Sequence, residues 1–154
     1  MNSTVTHATF TIERRYSAAP ERVFTAFADP AKKRRWFAER ELRNAEFAMD
    51  FQVGGREQTK AVMGPDTPFP GAAITNDTVY QDIAPNRRIV FAYTMTIGGK
   101  RISASLATVE LLPSDTGTLL LFTEQGAFFE GSDGPGMRQE GWNSILDALT
   151  REIE

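Results

Sequence analysis

A chain of 154 residues with 41% apolar and 24% charged side chains can build one domain with a real core, and its make-up is that of an ordinary globular protein. A formal net charge of −3 and a pI near 5.3 argue against general nucleic-acid binding, which needs a basic face. The absence of cysteine excludes disulfides, thiolate nucleophiles and cysteine-ligated zinc. No apolar run approaches the ~20 residues needed to cross a bilayer, and the opening Met-Asn-Ser-Thr-Val-Thr-His lacks the charged and apolar segments of a signal peptide. A cytoplasmic protein without a membrane span is therefore expected.

Residues 7–16 alternate, with Ala8, Phe10 and Ile12 set against Thr9, Thr11 and Glu13, and predict a half-buried strand. Ser17-Ala-Ala-Pro-Glu opens a helix with Pro20 in its first turn and Val23, Phe24 and Phe27 as its apolar stripe. Asp29-Pro30 ends it, and a second short helix runs from Ala31 to Phe37. The basic run Lys32–Arg35 lies in that helix and is expected to be a solvated face, with a phosphate patch as the alternative. Strands follow over Glu46–Phe51 and Arg56–Met63, separated by a turn at Val53-Gly-Gly-Arg56. Gly64–Gly71 holds three prolines and two glycines and must be a loop, and Phe69, exposed between two prolines, makes it a candidate lid.

From Ala73 to Gln125 the pattern is that of antiparallel sheet. Strands are expected over Thr78–Ile83, Arg88–Ile97, Lys100–Leu112 and Thr118–Glu124, with Gly98-Gly99 as a hairpin turn. In Lys100–Leu112 the alternation changes phase between Ile102, Ala104, Leu106 and Val109, Leu111, so either a bulge intervenes or both faces are covered. The end of the chain, opening at Asp133-Gly-Pro, reads as one long amphipathic helix with Met137, Trp142, Ile145, Leu146, Leu149 and Ile153 on one face. The fold class is α+β: a curved antiparallel sheet of six to seven strands wrapped around a long C-terminal helix, with two short helices after the first strand, residues 1–154 forming a single domain. Eleven phenylalanines supply much of its interior.

Several segments carry a resemblance. They are Ala19-Pro-Glu-Arg-Val-Phe24, Trp36-Phe37, Phe51-Gln-Val-Gly-Gly-Arg56, Tyr80-Gln-Asp-Ile-Ala-Pro-Asn-Arg-Arg-Ile89, Gly117-Thr-Leu-Leu-Leu-Phe-Thr-Glu124 and Glu140-Gly-Trp142. In this order, across essentially the whole chain, they resemble the START-like, SRPBCC helix-grip superfamily, and within it the bacterial family similar to the C-terminal domain of the activator of heat-shock-protein-90 ATPase. The resemblance implies a sheet gripping the last helix with a deep apolar cavity between. It turns Phe91, Tyr93, Met95, Val109, Leu111, Leu120 and Phe122 inward and sets Trp142, Leu146 and Leu149 on the opposite wall. The eukaryotic cochaperone needs a further N-terminal domain, for which 154 residues leave no room, so ATPase activation is not carried over.

The single histidine, His7, is expected at an edge or on the surface rather than in a catalytic triad. With one histidine, no cysteine and no Asp-x-Asp-x-Asp-Gly loop, no metal and no cofactor is expected. Glu124 shares phase with Leu120 and Phe122, so it faces inward and needs a partner, for which Arg101 or Lys100 is near in sequence pairing. It either pairs at a cavity mouth or anchors a ligand head group, with hydroxyls from Tyr93 and Ser105 nearby. Gly141, in mid-helix, is expected to pack closely against the sheet or loop 64–71, with clearance for a ligand as the alternative. The leading functional expectation is non-enzymatic binding, transport or sensing of a small hydrophobic molecule. The alternatives are a cyclase- or hydrolase-type enzyme using Glu124 and Tyr93, or an interaction module, possible as a homodimer, on the outer-face pair Leu119 and Leu121.

Overall fold

The computed structural model of the chain describes residues 2–39 and 42–154; Met1, where the reading of the N-terminus begins, lies outside them. Alternating apolar positions give seven strands, all antiparallel: β1 (Thr6–Tyr16), β2 (Leu42–Met49), β3 (Arg56–Met63), β4 (Ala73–Ala84), β5 (Arg88–Ile97), β6 (Lys100–Ser114) and β7 (Gly117–Phe128). They form one sheet in the order β1-β7-β6-β5-β4-β3-β2. Helices α1 (Pro20–Ala28) and α2 (Pro30–Lys33) follow β1, and α3 (Gly134–Ile153) closes the chain. This is the α+β helix-grip architecture. No helix is long and apolar enough to cross a membrane among the described residues.

Local chemistry fixes the entry to the helical pair. Asp29 ends α1 and caps α2, its Oδ1 accepting from the amides of Ala31 at 2.9 Å and Lys32 at 3.4 Å. Beyond Lys33 the helix widens to a π-helical turn, Arg34–Ala38, in which the Glu39 amide bonds back to the Arg34 carbonyl at 3.0 Å. Trp36 is held by donating its indole N–H to the Ala26 carbonyl at 2.8 Å. The basic run is therefore not one solvated face. Arg35 pairs outside with Glu152, whereas Lys33 points inward and is only 4% exposed.

β6 does carry a bulge, but at its start and not between Leu106 and Val109: only Ile102 changes face, and Ala104 and Leu106 lie on the outer face. Met95 pairs with Ser103 and Thr96 with Arg101, leaving Ile102 as the extra residue. After it, Ser103, Ser105, Ala107, Val109 and Leu111 face the interior, and Leu106 faces out. The turn before β3 depends on a glycine: a Cβ on Gly55 would lie 2.1 Å from the Asp50 carbonyl oxygen. The turn also bonds to β4, the Gly55 carbonyl accepting from the Tyr80 amide at 3.0 Å and the Gly54 amide donating to the Tyr80 carbonyl at 2.8 Å, and this sets Tyr80 beside the inner face of β3.

The two halves of α3 meet the sheet differently. Its C-terminal half lies on packed apolar side chains, with Leu146 and Leu149 fully buried, and Thr150 reaches the Tyr16 hydroxyl at 3.4 Å. Its N-terminal half stands over β3–β5 with a space between.

Candidate functional site

The inner face of the sheet carries a polar row through the middle of an aromatic interior. Glu57 lies opposite Thr78, Thr78 opposite Tyr93, and Tyr93 opposite Ser105, so four polar side chains share one face across β3, β4, β5 and β6. The next row is Thr59, Asn76, Met95 and Ser103. Each row ends on a cation supplied by a helix, Lys33 from α2 or Arg138 from α3.

Arg138 is 3% exposed, and its guanidinium N–H groups are all used. It grips Asp133 through both carboxylate oxygens at 2.8 and 2.9 Å, donates to the Ser103 hydroxyl at 2.8 Å and the Tyr93 hydroxyl at 3.0 Å, and reaches Glu124 at 3.4 Å. The Phe128 ring lies under it at 5.1 Å. Glu124, with no exposed surface, accepts from Tyr93 at 2.6 Å and Ser105 at 3.0 Å. Burial pushes its carboxyl above the usual range, offset in part by Arg138 and the hydroxyl donors. Burial and the neighbouring Glu124 also raise the Tyr93 phenol, against the pull of Arg138. Burial opposes the charge on Arg138, but Tyr93, Asp133 and Glu124 outweigh it and keep the guanidinium protonated. The Tyr93 hydroxyl donates to Glu124 and accepts from Arg138 and from the Trp142 indole at 3.2 Å, which leaves it neither a proton nor a lone pair for a ligand. Glu124 therefore pairs with Arg138 and not with Arg101 or Lys100, both exposed at the bulged end of β6.

Lys33 makes the second cluster. Its ammonium donates to Glu57 Oε1 at 2.7 Å and approaches the Tyr80 hydroxyl at 3.5 Å; Tyr80 in turn donates to the same Glu57 oxygen. The rings of Phe37 and Phe91 stand 5.0 and 5.5 Å from the ammonium, a favourable placement for a buried cation. Burial, then the adjacent Glu57, holds the Tyr80 phenol well above its ordinary value. Glu57 Oε2 and one ammonium N–H of Lys33 have no protein partner among the described residues.

Between the two clusters lies a cavity of about 100 Å³. Its floor is Phe91, Tyr93 and Met95 with Asn76 and Thr78, and its ends are Lys33 with Glu57 and Arg138 with Asp133. Its roof is Met137, Gly141, Trp142 and Ile145 of α3, and Pro68 and Phe69 close the side. Phe69 is half-buried against it rather than exposed, in a loop tied by the Gly71 amide to the Met63 carbonyl at 2.9 Å. Gly141 does not pack closely as expected: a Cβ there would meet nothing within 4 Å. It borders the cavity and is itself exposed.

Of the residues read from sequence as a ligand wall, Phe91, Tyr93, Met95, Trp142 and Phe69 border this cavity. Val109, Leu111, Leu120, Phe122, Leu146 and Leu149 do not, being at most 1% exposed within the solid core. Glu124 sits behind Tyr93. The reason is steric: the Phe122 ring lies 4.2 Å from Trp142 and fills the region beneath the middle of α3. His7 is exposed on edge strand β1. Among the described residues no group of three histidine, cysteine, aspartate or glutamate side chains is arranged to hold a metal.

Residues 17–154 match the family described as activator of Hsp90 ATPase homolog 1-like protein. The chain belongs to that family. A solved structure of protein Mll3558 from Rhizobium loti is 49% identical, with a TM-score of 0.87 over 97% of this chain and 99% of that one. An uncharacterized protein from Rhizobium leguminosarum is 40% identical, with a TM-score of 0.88 over 97% and 95% of the two chains. CalU16 from Micromonospora echinospora, at 21% identity and a TM-score of 0.60, shares the fold alone. No curated protein matches the chain.

Proposed function

We propose that this family member binds a small, mainly apolar molecule in the cavity between β3–β5 and the N-terminal half of α3, without chemical conversion. The observation that carries the reading is the cavity itself, walled mainly by apolar side chains, with Phe91, Tyr93 and Met95 beneath and Met137, Trp142 and Ile145 above. Gly141 borders this cavity at its exposed side; a glycine in mid-helix costs about 1 kcal/mol against alanine, and no neighbour within 4 Å requires it. The helix-grip fold commonly holds hydrophobic ligands, which agrees with that use. A passive role fits the saturated Tyr93 hydroxyl and the enclosed Glu124, because an acid–base pair needs a proton or lone pair within reach of the reacting atom.

Size narrows the ligand. The cavity of about 100 Å³ is below the ~150 Å³ of an engineered apolar cavity that takes benzene. A single ring is therefore the upper limit, and even that requires Phe69 or Met137, the latter already 44% exposed, to give way. Toluene is a suitable probe. Binding to the native state raises Tm by mass action, so toluene is expected to raise the Tm of the wild type. It is expected to leave the Tm of Gly141→Leu unchanged, because leucine fills the space. No Tm change in the wild type, or an equal rise in the variant, would refute the cavity as a binding site.

A further inference from the structure

The polar groups bordering the cavity specify the ligand's own polar group, an inference that rests on the binding role proposed above. The charges come first. At one end Lys33 is neutralised by Glu57 at 2.7 Å; at the other Arg138 is neutralised by Asp133, with Glu124 as a second acid behind it. Neither end holds an uncompensated cation, and Glu57 presents its free Oε2. A carboxylate entering here would be desolvated with nothing to balance it, a cost that burial in low dielectric makes large.

The hydrogen bonds come next. Lys33 has one ammonium N–H left over. On the floor, Asn76 Oδ1 is buried without a hydrogen-bond partner among the described residues, and so is Thr59 Oγ1, directly opposite Asn76 across β3 and β4. Buried polar atoms are nearly always paired, and unpaired ones in a native fold call for a missing partner. The cavity thus offers an unused donor on Lys33 and unused acceptors on Glu57 and Asn76, on walls that are mainly aromatic and aliphatic.

We infer that the cavity takes an uncharged single-ring molecule whose polar group accepts a hydrogen bond from Lys33 and donates one to Asn76, and that it turns away the matching carboxylate. Primary amides and hydroxyl-bearing carbonyl compounds have this chemistry; simple aromatic acids at neutral pH do not.

Three probes of nearly the same shape separate the terms. Benzamide is neutral with acceptor and donor, acetophenone is neutral with an acceptor only, and benzoate is charged. Each is titrated by NMR at pH 7.5 into the wild type, Asn76→Leu and Gly141→Leu. Benzamide is expected to bind at least tenfold more tightly than benzoate and several-fold more tightly than acetophenone, the worth of about one hydrogen bond. Asn76→Leu should erase the margin over acetophenone, and Gly141→Leu should block all three. Benzoate binding as well as benzamide, or a margin that survives Asn76→Leu because a water alone satisfies the amide, overturns this inference. If all three bind alike and Gly141→Leu still blocks them, the binding role stands and only the polar specificity falls. If none binds, both fall.

Discussion

The two buried cation clusters are built from the same kinds of groups and are finished differently. Each has a helix-borne cation, a carboxylate on the sheet and a tyrosine. Around Arg138 the donors and acceptors close on one another, with Asp133, Ser103, Tyr93 and Glu124 all within 3.4 Å. Around Lys33, one ammonium N–H and one Glu57 oxygen have no protein partner among the described residues, and both residues border the cavity. The fork of an arginine can bind a ring of acceptors at once, whereas a lysine is a point charge with three rotatable donors. The closed cluster ties the start of α3 to β5–β7 and holds the roof in place. The open one is where a ligand can gain a hydrogen bond.

Removing the cation from each cluster tests this division. Arg138→Met leaves Asp133 and Glu124 buried without a counter-charge, and deleting one partner of a buried pair costs about 3–5 kcal/mol. Urea denaturation at pH 7 is expected to show a loss of that size; a loss below 1 kcal/mol would mean the cluster does not hold α3. Lys33→Met breaks a buried pair by the same rule, stranding the Glu57 charge, and should cost about 3–5 kcal/mol, towards the lower end because Tyr80 still donates to Glu57. The double variant Lys33→Met/Glu57→Gln should recover part of that loss, since it removes the stranded charge as well. If the double variant is less stable than Lys33→Met, the charge on Glu57 has another compensating partner.

Glu124 with the Tyr93 and Ser105 hydroxyls was legible from strand phase, but the cations of both clusters were not, because a basic side chain on a helix reads as solvated. Arg138 stands four residues before Trp142, in phase with Ile145 and Leu149, so it belongs to the inward stripe, while Met137 beside it is exposed. Lys33 is likewise in phase with Trp36 and Phe37. The strands were legible because alternation and turn residues encode them directly. β3 and β5 have the expected limits, and Gly98 and Gly99 both adopt the positive φ their hairpin turn needs. Alternation placed Phe91, Tyr93 and Met95 on one face, and it was the resemblance that turned that face and Phe122 inward, as they are. Which inward residues border open space was not legible, because that depends on how rings tilt, as Phe122 does against Trp142, and periodicity carries no such information. The resemblance to helix-grip proteins implied a deep apolar cavity, and in this chain the rings reduce it to one small space with charged ends.

The smallest expected effect separates the clusters by pH. Burial makes Glu124 hold its proton more tightly in the folded chain than in the unfolded one. Below the ordinary carboxyl range Glu124 is protonated in both states, and the folded chain bears no charge-burial cost from it. As pH rises, the unfolded chain releases the proton first, so the folded state binds more protons and stability falls until the folded-state carboxyl has also ionised. Glu124→Gln has no such titration. Its contribution does not change with pH, whatever the amide loses or keeps of the bonds to Tyr93, Ser105 and Arg138. The advantage of the wild type over Glu124→Gln is therefore expected to be largest near pH 4 and to shrink towards pH 7, as read from urea midpoints of the two proteins across that range. An advantage that grows with pH would show that Arg138 and the hydroxyl donors overcome the burial of Glu124, making its ionised form the stabilised one.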